Sequence, residues 1–208
     1  SNLPSVMDFT LFTDLPNALK EEESWDKGMI KIYNSFGNDF LYPDINNILV
    51  FFENHDTERF NEIFKGDVRY YKMALTLIST VRGIPQIYYG SEIGMQGNKP
   101  EGGDADIRRD FPGGWKGDKQ NAFNPKTQTS EQKEFYDFTQ KLLNWRKGKE
   151  VIHSGKTKHY MPKEKVYVYF RYNGNEKIMV VINNNEKEQT FDLSRFAEAL
   201  NGVSKGKD

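Results

Sequence analysis

Ile48-Leu49-Val50-Phe51-Phe52-Glu53-Asn54-His55-Asp56 decides how this chain is read: five apolar residues without alternation, followed at once by four polar ones. A continuous apolar run of that length suits a strand buried on both faces, as in a parallel sheet. Downstream, Asp67 is placed as an N-cap. Tyr71, Ala74, Leu75, Ile78 and Arg82 then follow helical spacing, with Val68, Leu77 and Val81 widening the apolar face. Gly83 is the expected stop. Ile84-Pro85-Gln86-Ile87-Tyr88-Tyr89 reads as a second short strand, with Pro85 near enough to its start to spare the ladder. The order is therefore strand, helix, strand.

Working outward, Ser5 to Phe9 is expected to add a strand upstream, and Met29, Ile30, Ile32 and Tyr33 place a helix within 25–33. Beyond Thr129, a cap with Gln132 three residues on, Phe135, Phe138, Leu142 and Trp145 recur at helical spacing, and Gly148 ends the pattern. Trp145 is expected in the core. Alternating strands and helices argue for parallel strands joined by crossover helices. After Lys149 the composition turns β-rich: 166–172 and 177–183 flank Asn173-Gly174, a hairpin signal, and 151–161 and 188–193 are expected to add strands. A small antiparallel domain thus follows an α/β part, with the boundary at Gly148, dividing the chain into 1–148 and 149–208.

The whole chain has 208 residues, 37% of them hydrophobic, and no apolar run approaching the roughly 18 that a membrane span needs. Neither a membrane nor nucleic acid is expected as a partner: 29 basic residues against 30 acidic leave no excess positive charge to neutralise phosphates. The absence of cysteine excludes disulfides and thiol chemistry and fits periplasm and cytoplasm alike.

Two stretches carry candidate chemistry. Asn54-His55-Asp56 stands just beyond the C-terminal end of a buried strand, where ligand sites of parallel α/β folds open. A carboxylate and an imidazole there can bind a hydroxylated ligand and stabilise developing positive charge; the plainer alternative is a capping Asp beside a loop His. The second stretch, 89–128, has no clear period and holds eight of the 17 glycines. Loops beyond about 12 to 15 residues are usually functional or disordered, and Phe111, Trp115 and Phe123 favour order here. Trp115 reads first as an anchor of this loop, second as a face on which a sugar stacks. His153 and His159 lack a second ligand at metal spacing, and Asp104 and Asp106 lack the glycine and distal Glu of a calcium loop, so no metal site is supported.

Phe51-Phe52-Glu53-Asn54-His55-Asp56-Thr57 resembles the fourth signature region of the α-amylase superfamily, glycoside hydrolase family 13. Gly83-Ile84-Pro85-Gln86-Ile87-Tyr88-Tyr89-Gly90-Ser91-Glu92 resembles that family's eighth barrel strand. Gly94-Met95-Gln96-Gly97 resembles the cyclomaltodextrinase, neopullulanase and maltogenic amylase group most. The resemblance implies the C-terminal part of a (β/α)8 TIM barrel, about strands six to eight, with 5–9 as strand six. An antiparallel β-sandwich C-terminal domain, present in part, would follow. It further implies retaining hydrolysis of α-1,4-glucosidic bonds in starch-derived oligosaccharides, through a carboxylate nucleophile and a carboxylic acid proton donor.

In that scheme Asp56 matches the acid that stabilises the transition state, and His55 holds the same sugar. Asp104-Ala105-Asp106-Ile107-Arg108 resembles the family's Asp-Pro-Asp-x-Arg segment, with Ala105 in place of Pro, and makes Asp104 and Arg108 candidate substrate contacts. The alternative is a surface Asp–Arg pair. Glu92 is expected to be a structural acceptor under the barrel rim. No cofactor is implied. No segment resembles the nucleophile or acid signatures, so the chain is expected to be an excised portion, inactive alone and prone to homodimerise through uncovered strand edges. A periplasmic location is favoured by the resemblance. Open alternatives are a transglycosidase of the same superfamily and a non-catalytic carbohydrate-binding module.

Overall fold

The computed structural model describes residues 5–174 and 176–207. Its parallel layer is small: β1 (Leu49–Val50) pairs with β2 (Ile84–Pro85), Leu49 opposite Ile84 and Val50 opposite Pro85. The amides of Ile84 and Gln86 donate to the carbonyls of Ile48 and Val50, so Pro85 sits where no ladder N–H is required. On the other side of β1, Met7 forms a single parallel bridge with Leu49. The strand expected over 5–9 is reduced to that bridge, because Asp8 caps a helix instead: its carboxylate accepts from Leu11 N at 2.9 Å. This helix, α1 (Phe9–Lys20), buries Leu11, Leu15, Ala18 and Leu19 and tolerates Pro16 within it.

The helix expected within 25–33 begins late, as α2 (Ile30–Gly37), after a turn closed by Gly28. Following β1 come the single turn α3 (Phe60–Ile63) and α4 (Val68–Thr80), whose N-cap is Asp67. Val50 and Phe52 on β1 and its extension share one core with Tyr71, Ala74, Leu75 and Ile78 of α4. Gly83, at φ +94°, lets the chain turn into β2 at a point where a Cβ would lie only 2.6 Å from the Ile48 carbonyl oxygen. Arg82 is buried beside it and pairs with Asp8 at 2.8 Å and Asp39 at 2.7 Å.

Within the stretch that shows no period, α5 (Lys99–Ile107) forms, kinked at Gly103. Its two glycines mask any apolar repeat. α6 (Ser130–Arg146) opens with a full capping box between Thr129 and Gln132 and packs on α4, where Tyr71 Oη and Thr139 Oγ1 lie 2.7 Å apart. Trp145, expected in the core, is instead 39% exposed, since α6 buries only the side around Phe135 and Thr139.

The β-rich tail is an antiparallel sheet in the order β3 (Lys156–Lys163), β4 (Val166–Tyr172), β5 (Lys177–Asn183). Two expectations change there. Residues 151–155 are not strand, because α7 (Glu150–His153) takes the first of them, burying Val151 and Ile152. Residues 188–193 form no strand; Phe191 packs edge-on to Phe196 at 5.5 Å, ahead of a 3-10 turn and α8 (Ala197–Leu200). Tyr167 and Tyr169 on one face of β4 join the main core, while Val166, Val168 and Phe170 on the other pack with Phe196 and Ala199. His159 lies between Tyr33 and Tyr167, with burial holding its ring below the ordinary histidine value.

Candidate functional site

The chain leaves β1 through four consecutive buried residues, Phe51 to Asn54, and emerges at His55 and Asp56. The turn is built locally: Asn54 Oδ1 accepts from Asp56 N at 2.8 Å, and Asn54 N donates to Thr57 Oγ1 at 2.9 Å. That geometry buries Asn54 and projects the next two side chains, each 62% exposed. Asp56 caps no helix. The N-cap of α3 is Arg59, and Phe60 N is instead satisfied by Glu53 Oε2 at 2.5 Å.

His55 Nε2 lies 3.2 Å from Asp56 Oδ2. Arg108 reaches across from the end of α5, its Nη2 2.8 Å from Asp56 Oδ1 and 2.9 Å from Asp104 Oδ2, and its Nε donating to the His55 carbonyl at 2.8 Å. Lys99 Nζ closes the group at 2.8 Å from Asp104 Oδ1. The hydrogen bond from Lys99, aided by the charge of Arg108, holds the Asp104 carboxyl below the usual carboxylate range. All four residues singled out in the sequence, His55, Asp56, Asp104 and Arg108, therefore stand together on one open surface. The Asp104–Arg108 pair also exists as the plainer alternative described it, one helical turn apart, but the same guanidinium continues to Asp56. Asp106 points elsewhere, accepting from Asn98 N at 2.6 Å.

Beneath this surface lies a group that sequence reasoning missed. Arg59 is fully buried and donates to the carbonyls of Ile107 at 2.9 Å and Tyr89 at 2.7 Å, and to Glu53 Oε1 at 3.2 Å. Its guanidinium lies 4.0 Å from the Tyr88 ring centroid. Ser91 Oγ donates to the same Glu53 carboxylate. Burial pushes Glu53 upward, against the pull of Ser91, Arg59 and Phe60 N. One side chain thus ties the turn after β1, the segment after β2 and the residue before Arg108. Glu53 is a fully buried structural acceptor here; Glu92 is partly covered, its carboxyl raised by burial against hydrogen bonds from the backbone of Glu92 and Gly90. The available signal was a Glu closing an apolar run six residues before an Arg.

Such a cluster offers carboxylate acceptors, an imidazole and a fork of N–H donors, a set suited to hydroxyl-rich ligands. Among the described residues no group of three or more His, Asp or Glu is placed to hold a metal. Among the described residues no helix is long and apolar enough to cross a membrane.

A family model described as the cyclo-malto-dextrinase C-terminal domain matches residues 157–208. A cyclomaltodextrin glucanotransferase of Bacillus sp. (strain 38-2) is 35% identical over 149 residues, 72% of this chain and 18% of that protein. A cyclomaltodextrinase of Thermoanaerobacter pseudethanolicus is 34% identical over 140 residues, 67% of this chain and 21% of that protein. The chain spans about a fifth of the length of these curated relatives. Its fold is similar to that of an Anoxybacillus α-amylase, with a TM-score of 0.68 at 24% identity, covering 88% of this chain and 36% of that one.

Proposed function

Since this chain is related to the α-amylase superfamily, glycoside hydrolase family 13, we propose that it forms part of a retaining α-glucan hydrolase of the cyclomaltodextrinase or neopullulanase type. In this reading the segment around Met7, β1 and β2 are the last three strands of a (β/α)8 barrel, and 1–148 belongs to the catalytic domain. Residues 149–208 belong to the C-terminal β domain. The observation that supports it most is the His55–Asp56–Arg108–Asp104 cluster at the open end of a parallel strand pair.

The chemistry has two steps. A carboxylate attacks the anomeric carbon while an acid protonates the departing glucosidic oxygen, and water then cleaves the glycosyl-enzyme bond. Neither of those two groups is assigned within these 208 residues; both belong to barrel strands outside them. Asp56 accepts hydrogen bonds from hydroxyls of the distorted sugar and opposes the positive charge of the oxocarbenium-like transition state. His55 donates to the same sugar. Arg108 orients Asp56 through their ion pair, and with Asp104 contacts a neighbouring glucose unit. A preorganised contact of this type is worth about 2.7 to 4 kcal/mol, so Asp56→Ala in the whole enzyme should lower kcat by about 10² to 10³.

The test is reducing-sugar release from starch and β-cyclodextrin by the purified 208-residue chain. None is expected; steady release that survives removal of contaminating amylase would contradict the assignment of nucleophile and acid outside the chain. A transglycosidase reading draws support from the Bacillus relative, a glucanotransferase by name. Product analysis of the whole protein separates the two: cyclic or lengthened glucans mark transfer, and glucose and maltose mark hydrolysis.

A further inference from the structure

We propose that Phe111, Trp115 and Phe123 form an aromatic shelf on which pyranose rings of an α-glucan stack, extending the Asp56–Arg108 site. The inference rests on the α-glucan reading above and adds a second contact surface to it. Trp115, read first from the sequence as an anchor of this loop and second as a stacking face, is 67% exposed, and Phe123 is 65% exposed. Phe111 and Phe123 meet with ring centroids 4.5 Å apart. Single exposed apolar side chains are ordinary. Three aromatics within 13 residues, two of them mostly in solvent, on a segment that is held rigidly, are a different matter.

The rigidity is built from the segment's own polar groups. Asp118 Oδ2 accepts from Gly113 N at 2.7 Å and Trp115 N at 3.1 Å, which fixes the backbone beneath the indole. Asn121 Oδ1 accepts from Phe123 N at 3.0 Å, and Ala122 N donates to the Pro112 carbonyl at 2.9 Å, closing the segment on itself. Gly113, at φ +100°, approaches Asn121 so closely that a Cβ would lie 2.5 Å from its Oδ1. Buried Ala122 pins the loop from below, and Gln128 Nε2 donates to its carbonyl at 2.9 Å. A surface ordered before binding loses little entropy on meeting a ligand, which is where the affinity of such a shelf would come from.

Its position is set by the site itself. Phe111 follows Arg108 by three residues, which limits their separation to about 11 Å along the chain. Between them, the Arg109 carbonyl accepts from Tyr89 Oη at 2.8 Å, anchoring the start of the segment to the residues that follow β2. Lys116, Asp118 and Lys119, all exposed, lie between Trp115 and Phe123 in the chain. Apolar faces bordered by hydrogen-bonding groups match the C–H faces and hydroxyl edges of glucose, and match an apolar peptide less well.

The experiment is calorimetric titration of the 208-residue chain with maltoheptaose, for the wild type, Trp115→Ala, Trp115→Tyr and Asp56→Ala, with a thermal melt of each. Trp115→Ala should melt with the wild type, since its side chain is exposed, yet bind maltoheptaose about tenfold more weakly. Trp115→Tyr should recover most of the loss. Affinity of Trp115→Ala within twofold of wild type, alongside weakened binding by Asp56→Ala, would overturn the shelf and leave the α-glucan site standing. No binding by the wild type would overturn both. A wild-type dimer in sedimentation that Trp115→Ala dissociates would overturn the shelf in favour of a self-association face.

Discussion

Replacing Arg59 with Met tests whether the buried ion pair beneath the site holds its three segments together. The substitution keeps most of the side-chain volume but deletes the donors to the Ile107, Tyr89 and Glu53 oxygens, leaving a fully buried carboxylate without its cation. Breaking a buried pair by removing one partner costs about 3 to 5 kcal/mol. For a chain of this size that corresponds to a fall in melting temperature of about 6 to 20 °C. The pH dependence gives a second, independent reading. Burial already raises Glu53 above its ordinary 4.5, and loss of the Arg59 charge raises it further. A carboxyl whose folded-state value lies above its unfolded one favours folding most below the unfolded value and loses that contribution as pH rises through the folded one. The gap between wild type and Arg59→Met should therefore be smaller near about pH 5, where the lost donors to the Ile107 and Tyr89 carbonyls remain its main cause, and widen toward about pH 8. Thermal denaturation followed by circular dichroism at both values measures it. A melting temperature within 2 °C of wild type, or a gap that does not change with pH, would refute the role assigned to the pair.

Two further substitutions have opposite expectations. Gly83→Ala places a Cβ at φ +94° and 2.6 Å from the Ile48 carbonyl that receives the Ile84 amide, so it should destabilise by at least about 2 kcal/mol in urea denaturation. A loss below 0.5 kcal/mol would contradict the close approach. Arg108→Ala removes ion pairs between groups 41% to 62% exposed, which are screened by solvent, so stability should change by less than about 1 kcal/mol. Maltoheptaose affinity should fall nonetheless; unchanged affinity with a large loss of stability would reverse the roles given to Arg108 and Arg59.

The parts of this fold that are legible in the sequence are those with two coincident local signals. Helix α4 has Asp67 as cap and an apolar period; α6 has Thr129 and Gln132 as a capping box; the β4–β5 hairpin has Asn173-Gly174 between β-branched runs. Helix α1 shows how contrary residues obscure such signals. Leu11, Leu15, Ala18 and Leu19 follow helical spacing behind Asp8, but Pro16 and the threonines argue locally against a helix, and the packed core overrides them. At the site, His55 and Asp56 stand out because a strand ends just before them. Their link to Arg108 crosses 52 residues and depends on the Gly103 kink, which no periodicity announces. Glu53 and Arg59 are hidden for a related reason: charged residues are expected at surfaces, and only the fold reveals that both are enclosed together.

The central claim is that the end of β1 is one wall of an α-glucan site. Calorimetric titration of the 208-residue chain with maltoheptaose, wild type against Asp56→Ala, addresses it most directly. Binding by the wild type is expected, with at least tenfold weaker binding by the variant at an unchanged melting temperature. Equal affinity in the two proteins would contradict it.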